Sequence, residues 1–348
     1  MRKTFLLLVA ILVAFASAAQ SWAAATDDKI ADFYRGKTVR IIVGFSAGGG
    51  YDAYSRLIGR HLQRNIPGNP AVLVDNMAGA GSIILANHMF NAAPKDGTVI
   101  GNFSGQIILE QLFGNPAVQY DLAKFRYLGV PIGETYLLIT TRKSGVTKLD
   151  EILGPKSKQI TVGGIPGSTV EQGPLLMRDL LGANIKVVSG YKGTADVRLA
   201  MESGEIDGIM NSWESSKATS LDRIKNGDWQ ILAQLGENPI AEMPVKNVPT
   251  IPQIGKTEEQ RQLLRFGAAA PNQFGKVYAV PPGTPAERSA ALETAFVKTF
   301  ADKEFLADAE KAKLDIDPVS AAQVQKLIND FFALSPDLKA KLKKILKP

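Results

Sequence analysis

The segment Val39–Arg56, VRIIVGFSAGGGYDAYSR, sets three local demands in quick succession. Val39, Ile41, Ile42, Val43 and Phe45 make an apolar run of the kind a buried strand requires. Ser46, Ala47, Gly48, Gly49 and Gly50 interrupt it, and from Asp52 onward Tyr54, Leu57, Ile58 and Leu62 recur at helical spacing. A strand, a glycine turn and a helix start leave backbone N–H groups unpaired at the positive end of a helix dipole, which suits an anion. Two nucleotide-binding turns are excluded. A P-loop needs Gly-Lys-Ser/Thr where Gly50, Tyr51 and Asp52 stand, and Gly48 to Ala53 does not supply the Gly-x-Gly-x-x-Gly fingerprint. Taken alone, three glycines equally suit a tight turn with no ligand.

The start of the chain reads as an export leader. Arg2 and Lys3 precede the apolar run Phe5–Phe15, and small residues follow to Ala23–Ala25, so residues 1–25 are expected to be removed as a signal peptide. That run is too short for a comfortable membrane span, and no cysteine follows it to carry a lipid. The absence of cysteine from the whole chain excludes disulfides, thiol catalysis and zinc-thiolate sites. With His61 and His88 as the two histidines, a histidine-built metal centre or a Ser-His-Asp triad is not expected. The net charge of +6 falls to about +4 once Arg2 and Lys3 leave with the leader. The basic tail (Lys339, Lys341, Lys343, Lys344, Lys347) reads as the solvated face of a last helix rather than a nucleic-acid patch.

Along the chain the strand–turn–helix unit repeats. Ala71–Val74 reads as a strand leading into a second glycine turn, Asp75 to Ser82, before a helix running to Phe90. Thr98–Phe103 is a third strand, so this part is an α/β unit with a largely parallel sheet and neighbouring turns at its strand ends. A second α/β unit follows. Tyr136–Thr141 and Gln159–Val162 read as strands, the latter ending in the turn Gly163–Thr169, and Asn184–Ser189 ends at Gly190-Tyr191-Lys192-Gly193-Thr194. Ile206–Met210 ends at Asn211-Ser212-Trp213-Glu214. Lys276–Val280 is a late strand, and the remainder is helical in period. Two α/β lobes with turns on both define a cleft, and late helices returning to the first lobe make a hinge.

These motifs, taken in order, resemble the periplasmic substrate-binding proteins of tripartite tricarboxylate transporters, the Bug family. The family's Phe-x-x-Gly-Gly-x-x-Asp turn is matched by Phe45–Asp52 with one inserted glycine, and its Val-x-Asn-x-x-Gly-Ala-Gly by Val74–Gly81. Tyr191-Lys192-Gly193, Gly204-Glu205-Ile206-Asp207, Val248-Pro249-Thr250 and Pro281-Pro282-Gly283-Thr284-Pro285 match four further elements. The chain departs from the family pattern at Ser82–Leu85 and at Ser168–Glu171, which leaves a relative's particular substrate untransferable.

The resemblance implies a two-lobed periplasmic binding protein of the type II kind, each lobe a mostly parallel sheet flanked by helices, with the ligand cleft between them. Residues 26–125 and 245–348 would form the first lobe and 126–244 the second. It implies that the two first-lobe turns hold a carboxylate, largely through backbone N–H groups and bridging waters. The positions are Phe45, Ser46, Ala47, Gly48 and Gly49 with Asn76, Gly79, Ala80 and Gly81. Asp52 is expected to organise the first turn, because two close carboxylates repel. In the second lobe Gly167, Ser168, Thr169, Tyr191, Asp207 and Trp213 are the candidate contacts. The implied protein is a monomeric periplasmic receptor that needs no cofactor, metal or nucleic acid, captures a small organic carboxylate by lobe closure and delivers it to membrane permease subunits. Two rivals remain at this point: a ligand-sensing subunit for a membrane kinase, and an exported enzyme acting on small carboxylates through Ser46, Ser168 or Lys192. No residue pattern supplies the latter with a paired base.

Overall fold

The computed structural model describes residues 28–236 and 238–346. The leader assigned to residues 1–25 lies outside them. The first sheet holds β1 (Thr38–Val43), β2 (Ala71–Asn76), β3 (Val99–Ser104), β4 (Arg126–Gly129) and β10 (Lys276–Val280), in the order β2-β1-β3-β10-β4. β1 pairs in parallel with β2 and β3, while β10 runs antiparallel to both β3 and β4, so four strands share one direction and β10 opposes them. The second sheet repeats the design with β5 (Tyr136–Thr141), β6 (Ile160–Gly164), β7 (Ile185–Ser189), β8 (Gly208–Ser212) and β9 (Trp229–Leu235). Its order is β7-β6-β8-β5-β9, with β5 as the opposing strand.

Burial follows position in the sheet. The interior strands β3, β5 and β8 are buried at every residue, as strands covered on both faces must be. Edge strand β2 alternates exposed with half-buried residues over most of its length. Around the first sheet lie α1 (Gly50–Leu62), α2 (Ile83–Asn91) and α3 (Ile107–Leu112); around the second lie α4 (Thr169–Leu181), α5 (Thr194–Ser203) and α6 (Trp213–Lys225). Short helices α7 (Ile251–Ile254) and α8 (Glu258–Leu264) precede β10, and α9 (Ala286–Ala301), α10 (Lys303–Lys311), α11 (Ala321–Phe332) and α12 (Pro336–Leu346) follow it.

The first sheet claims more of the chain than expected at its front edge. β4 bonds to β10, so the crossing to the second sheet comes after Gly129 and not at residue 126. A strand placed there completes the sheet beyond β10 and buries Tyr127 and Leu128. The return also comes later than residue 245. α8 and the turns through Phe274 pack on α4, and the first sheet is regained at Lys276. The closing helices divide: α9 and α11 lie on β4, α10 on α1, and α12 back on α4. An apolar core is continuous from Phe103 and Leu109 under the first sheet to Ile165 and Leu176 under the second, by way of Phe274 and Phe331.

Candidate functional site

β1 ends at Val43, and the turn behind it is held by Asp52. One Asp52 oxygen accepts from the Gly48 amide (2.9 Å) and the Arg56 Nε (2.9 Å); the other accepts from the Asn76 side chain (3.0 Å). Burial pushes the Asp52 carboxyl up, but Arg56, the Gly48 amide and Asn76 outweigh it and hold its pKa below the ordinary value. Asn76, at the end of β2, also donates to the Phe45 carbonyl (2.9 Å), so it ties the two glycine turns together. Its amide is committed to these partners.

The second turn is wound through the left-handed region at Gly79 (φ 144°), Ala80 (φ 45°), Gly81 (φ 60°) and Ser82 (φ 79°). It faces the second lobe at close range. A Cβ on Gly81 would sit 2.4 Å from the Pro166 carbonyl and 2.9 Å from that of Gly167. Ala80 and Gly81 thus form a backbone-to-backbone seam with Pro166 and Gly167, Gly79 packs on Ile84 of α2, and none of Gly79, Ala80, Gly81 and Gly167 lines the cavity described next.

That cavity lies between the first turn and the second lobe and measures about 20 Å³. Four helices point their N-termini at it: α1 through Gly49 and Gly50, α4 through Ser168 and Val170, α5 through Thr194, and α6 through Ser215. The N-cap residues of the first three, Gly49, Ser168 and Gly193, give no side-chain cap, whereas Ser212 caps α6 by accepting from the Ser215 amide. Each such end carries about half a positive charge. The walls are otherwise apolar or neutral: Phe45 and Tyr51 stack with ring centroids 4.1 Å apart, and Tyr136, Ile165 and Asn211 complete them. No lining residue is charged. The buried Ser46 hydroxyl reaches the cavity with no hydrogen-bond partner among the described residues.

Of the residues expected from sequence, the structure brings Phe45, Ser46, Gly49 and Ser168 to this cavity. Ala47 and Gly48 are exposed and do not line it. Thr169 turns instead to a buried polar strip between the lobes, where its hydroxyl meets Asn272 (2.7 Å) and Gln106 (3.1 Å). Tyr191 packs over Gly163 and donates to Glu205 (3.0 Å). Asp207 sits at the amino ends of β6 and β8, accepting from the Thr161 amide (2.8 Å), whereas the cavity lies at the carboxyl ends. Trp213 is core, its amide bonded to the Thr135 carbonyl. Tyr136, Thr194, Asn211 and Ser215 were not anticipated, although Thr194 and Asn211 stand in turns that the sequence marks. Tyr136 reaches the cavity because β5 runs against its neighbours, which puts its amino end where the others place their carboxyl ends.

Behind Gly50, Tyr51 and Ser215 lies a buried charge cluster. Lys276, at the start of β10, pairs with Glu134 from the outward crossing, and both side chains are inaccessible. The ammonium also lies 5.2 Å and 5.0 Å from the ring centroids of Tyr51 and Tyr54. Glu214, near the start of α6, is a second carboxyl beside them. Burial, with Glu134 adding to it against the opposing pull of Lys276, pushes its pKa up to about 8. Glu214 therefore retains its proton at neutral pH.

The chain matches the family described as the tripartite tricarboxylate transporter family receptor over residues 58–343. It is 27% identical over 237 residues to Protein BugT of Bordetella pertussis, an alignment covering 66% of this chain and 69% of BugT. The fold is similar to that of the periplasmic binding protein BugD (TM-score 0.71, 18% identity, 90% of this chain and 98% of that one). It is also similar to MatC from Rhodopseudomonas palustris with bound malate (TM-score 0.66, 17% identity, 89% and 99%). An R. palustris protein with adipate has the same architecture (TM-score 0.68, 20% identity, 89% and 97%). With a match reaching from α1 to α12, the chain belongs to the receptor family of the tripartite tricarboxylate transporters.

Proposed function

We propose that this receptor is exported, captures a small organic carboxylate between its lobes, and passes it unchanged to membrane components of a tripartite transporter. The observation that carries the reading is the convergence of four helix N-termini on a cavity whose lining bears no charged side chain. Fixed amides and dipoles stabilise a carboxylate without burying a mobile cation. The malate and adipate held by two structures of the same architecture are ligands of this class. At about 20 Å³ the cavity is far below the roughly 300 Å³ of an ordinary ligand site, so binding requires the lobes to part and close again. Both walls come from one chain, which fits a monomer. Among the described residues no helix is long and apolar enough to cross a membrane, in keeping with a leader at residues 1–25 that delivers the chain to the periplasm.

Catalysis finds no support. The Ser168 hydroxyl donates to the Ile165 carbonyl (2.8 Å), Lys192 is exposed, and no base meets the Ser46 hydroxyl among the described residues. A thermal-shift screen against mono-, di- and tricarboxylates and their amides tests the reading. An acid present at a hundred times its dissociation constant should add about 2.7 kcal/mol of stability, with the matching amide inert. A shift of equal size with the amide, or none with any acid, would overturn it.

A further inference from the structure

We propose that this receptor takes up a proton on Glu214 together with its anionic ligand, so that capture weakens as the pH rises above neutrality. The inference rests on the carboxylate reading above. Glu214 is the second residue of α6, and its neighbour Ser215 lines the cavity. Gly50 and Tyr51 line it as well, and a Cβ on Gly50 would lie 3.6 Å from the Lys276 Cε. The buried charge cluster therefore sits one residue behind the cavity wall. Within it, one oxygen of Glu214 and one of Glu134 are buried without a hydrogen-bond partner among the described residues. Lys276 pairs with Glu134, which leaves the charge of an ionised Glu214 in excess.

The other groups that face Glu214 do not take over its titration. Tyr51 and Tyr54 of α1 and Tyr136 of β5 are pushed well up by burial and stay neutral. Asp315, from the loop between α10 and α11, is paired with Lys217 of α6. Glu214 itself is pushed up to about 8, by burial first and then by Glu134, against the pull of Lys276. An anion in the cavity and an ionised Glu214 are like charges on either side of a protein wall, with little water between them to screen the repulsion. Capture therefore selects the neutral carboxyl, and the bound anion in turn holds the proton more tightly. These are one coupling seen from its two ends. Below about pH 7 the proton is already in place and binding exchanges none. Above about pH 8 it must be drawn from solvent, and affinity falls by the factor by which the anion favours the protonated form.

Infrared titration reads the proton directly, because a neutral carboxyl absorbs apart from an ionised one. Unliganded wild type should show a neutral-carboxyl band at neutral pH that is lost by about pH 9.5, and Glu214→Gln should lack it. Calorimetry with malate, adipate, butyrate and hexanoate then reads the coupling. An acid that binds should do so about five- to tenfold more weakly near pH 9.5 than near pH 6.5, and should move the midpoint of the band upward by about one pH unit. In Tris and in a second buffer of smaller protonation heat, both near pH 8.5, the heats should report uptake of about half a proton per ligand. Glu214→Gln should lose the pH difference and the uptake. Absence of the band from unliganded wild type, or its persistence in Glu214→Gln, would overturn the inference alone. So would an affinity independent of pH, or a pH dependence that survives in Glu214→Gln. Failure of wild type to bind any of the four acids would overturn the carboxylate reading together with it. Thermal melts of Glu214→Gln near pH 6.5, expected to match wild type, separate these outcomes from misfolding.

Discussion

Single residues decide how near the lobes can come. Gly193 is the sharpest case: its backbone is extended (φ −169°), yet a Cβ there would lie 1.8 Å from the Ser46 hydroxyl across the cleft. A side chain at this position therefore strains nothing within its own lobe and obstructs only the approach of the other. Gly193→Val should melt within about 1 kcal/mol of wild type, because the side chain's nearest neighbour is Ser46 of the opposite lobe, which draws away when the lobes part. Its ligand affinity should fall at least about tenfold, because the bound state requires closure. Calorimetry beside a thermal melt checks both, and wild-type affinity would show that the lobes do not meet here when loaded. Asp52 shows a turn-bracing role with a local cause. Its four-residue offset from Gly48 lets its carboxylate accept from that amide while Arg56 and Asn76 hold it from the side. Asn76 sits beside it, but its amide serves the turns themselves, a commitment that depends on the register of β2 against β1.

At the scale of elements, the cluster of Glu134, Lys276 and Glu214 joins the two crossings to α6, at the place about which the lobes must move. Lys276→Met would leave Glu134 as an unpaired buried charge and should destabilise by about 3–5 kcal/mol in a denaturant melt. Glu214 carries a pH dependence whose direction follows from its environment. Its carboxyl ionises at an ordinary 4.5 in an unpaired state and near about 8 in the fold, so the folded chain holds the extra proton between those values. Stability from this group is full below pH 4.5 and is lost as pH rises toward 8. Melts of Glu214→Gln between those limits should show a flatter fall than wild type, and identical slopes would mean the carboxyl is ionised throughout. Elements with dense apolar spacing were legible: β5 and β10 have the bounds that their apolar runs mark. Helix α6 was not, because WESSKATSLDRIK has too few apolar residues to show a period, and its start is fixed by the Ser212 cap. The strand-end rule found the turns but not Tyr136, since one strand of the sheet runs the other way.

The whole molecule is two mixed sheets sharing a core and sealed by a polar strip in which Gln106 meets Gln172 and Thr169. The two-lobed plan was readable because each glycine turn advertises a strand end. How the late helices divide between lobes was not, because α11 and α12 carry similar amphipathic patterns and are sorted only by what they pack on. The order in which the strands lie has a consequence for how the chain is made. The second sheet is drawn from the unbroken stretch 136–235 and can pair fully as soon as that stretch is available. The first sheet has a slot between β3 and β4 that stays unfilled until Lys276–Val280 arrives. A chain emerging from its N-terminus therefore passes through a stage with one finished lobe and one lobe showing two open strand edges, which invite pairing with other chains. Synthesis must carry the polypeptide past residue 280 before the first lobe can become inert toward its neighbours.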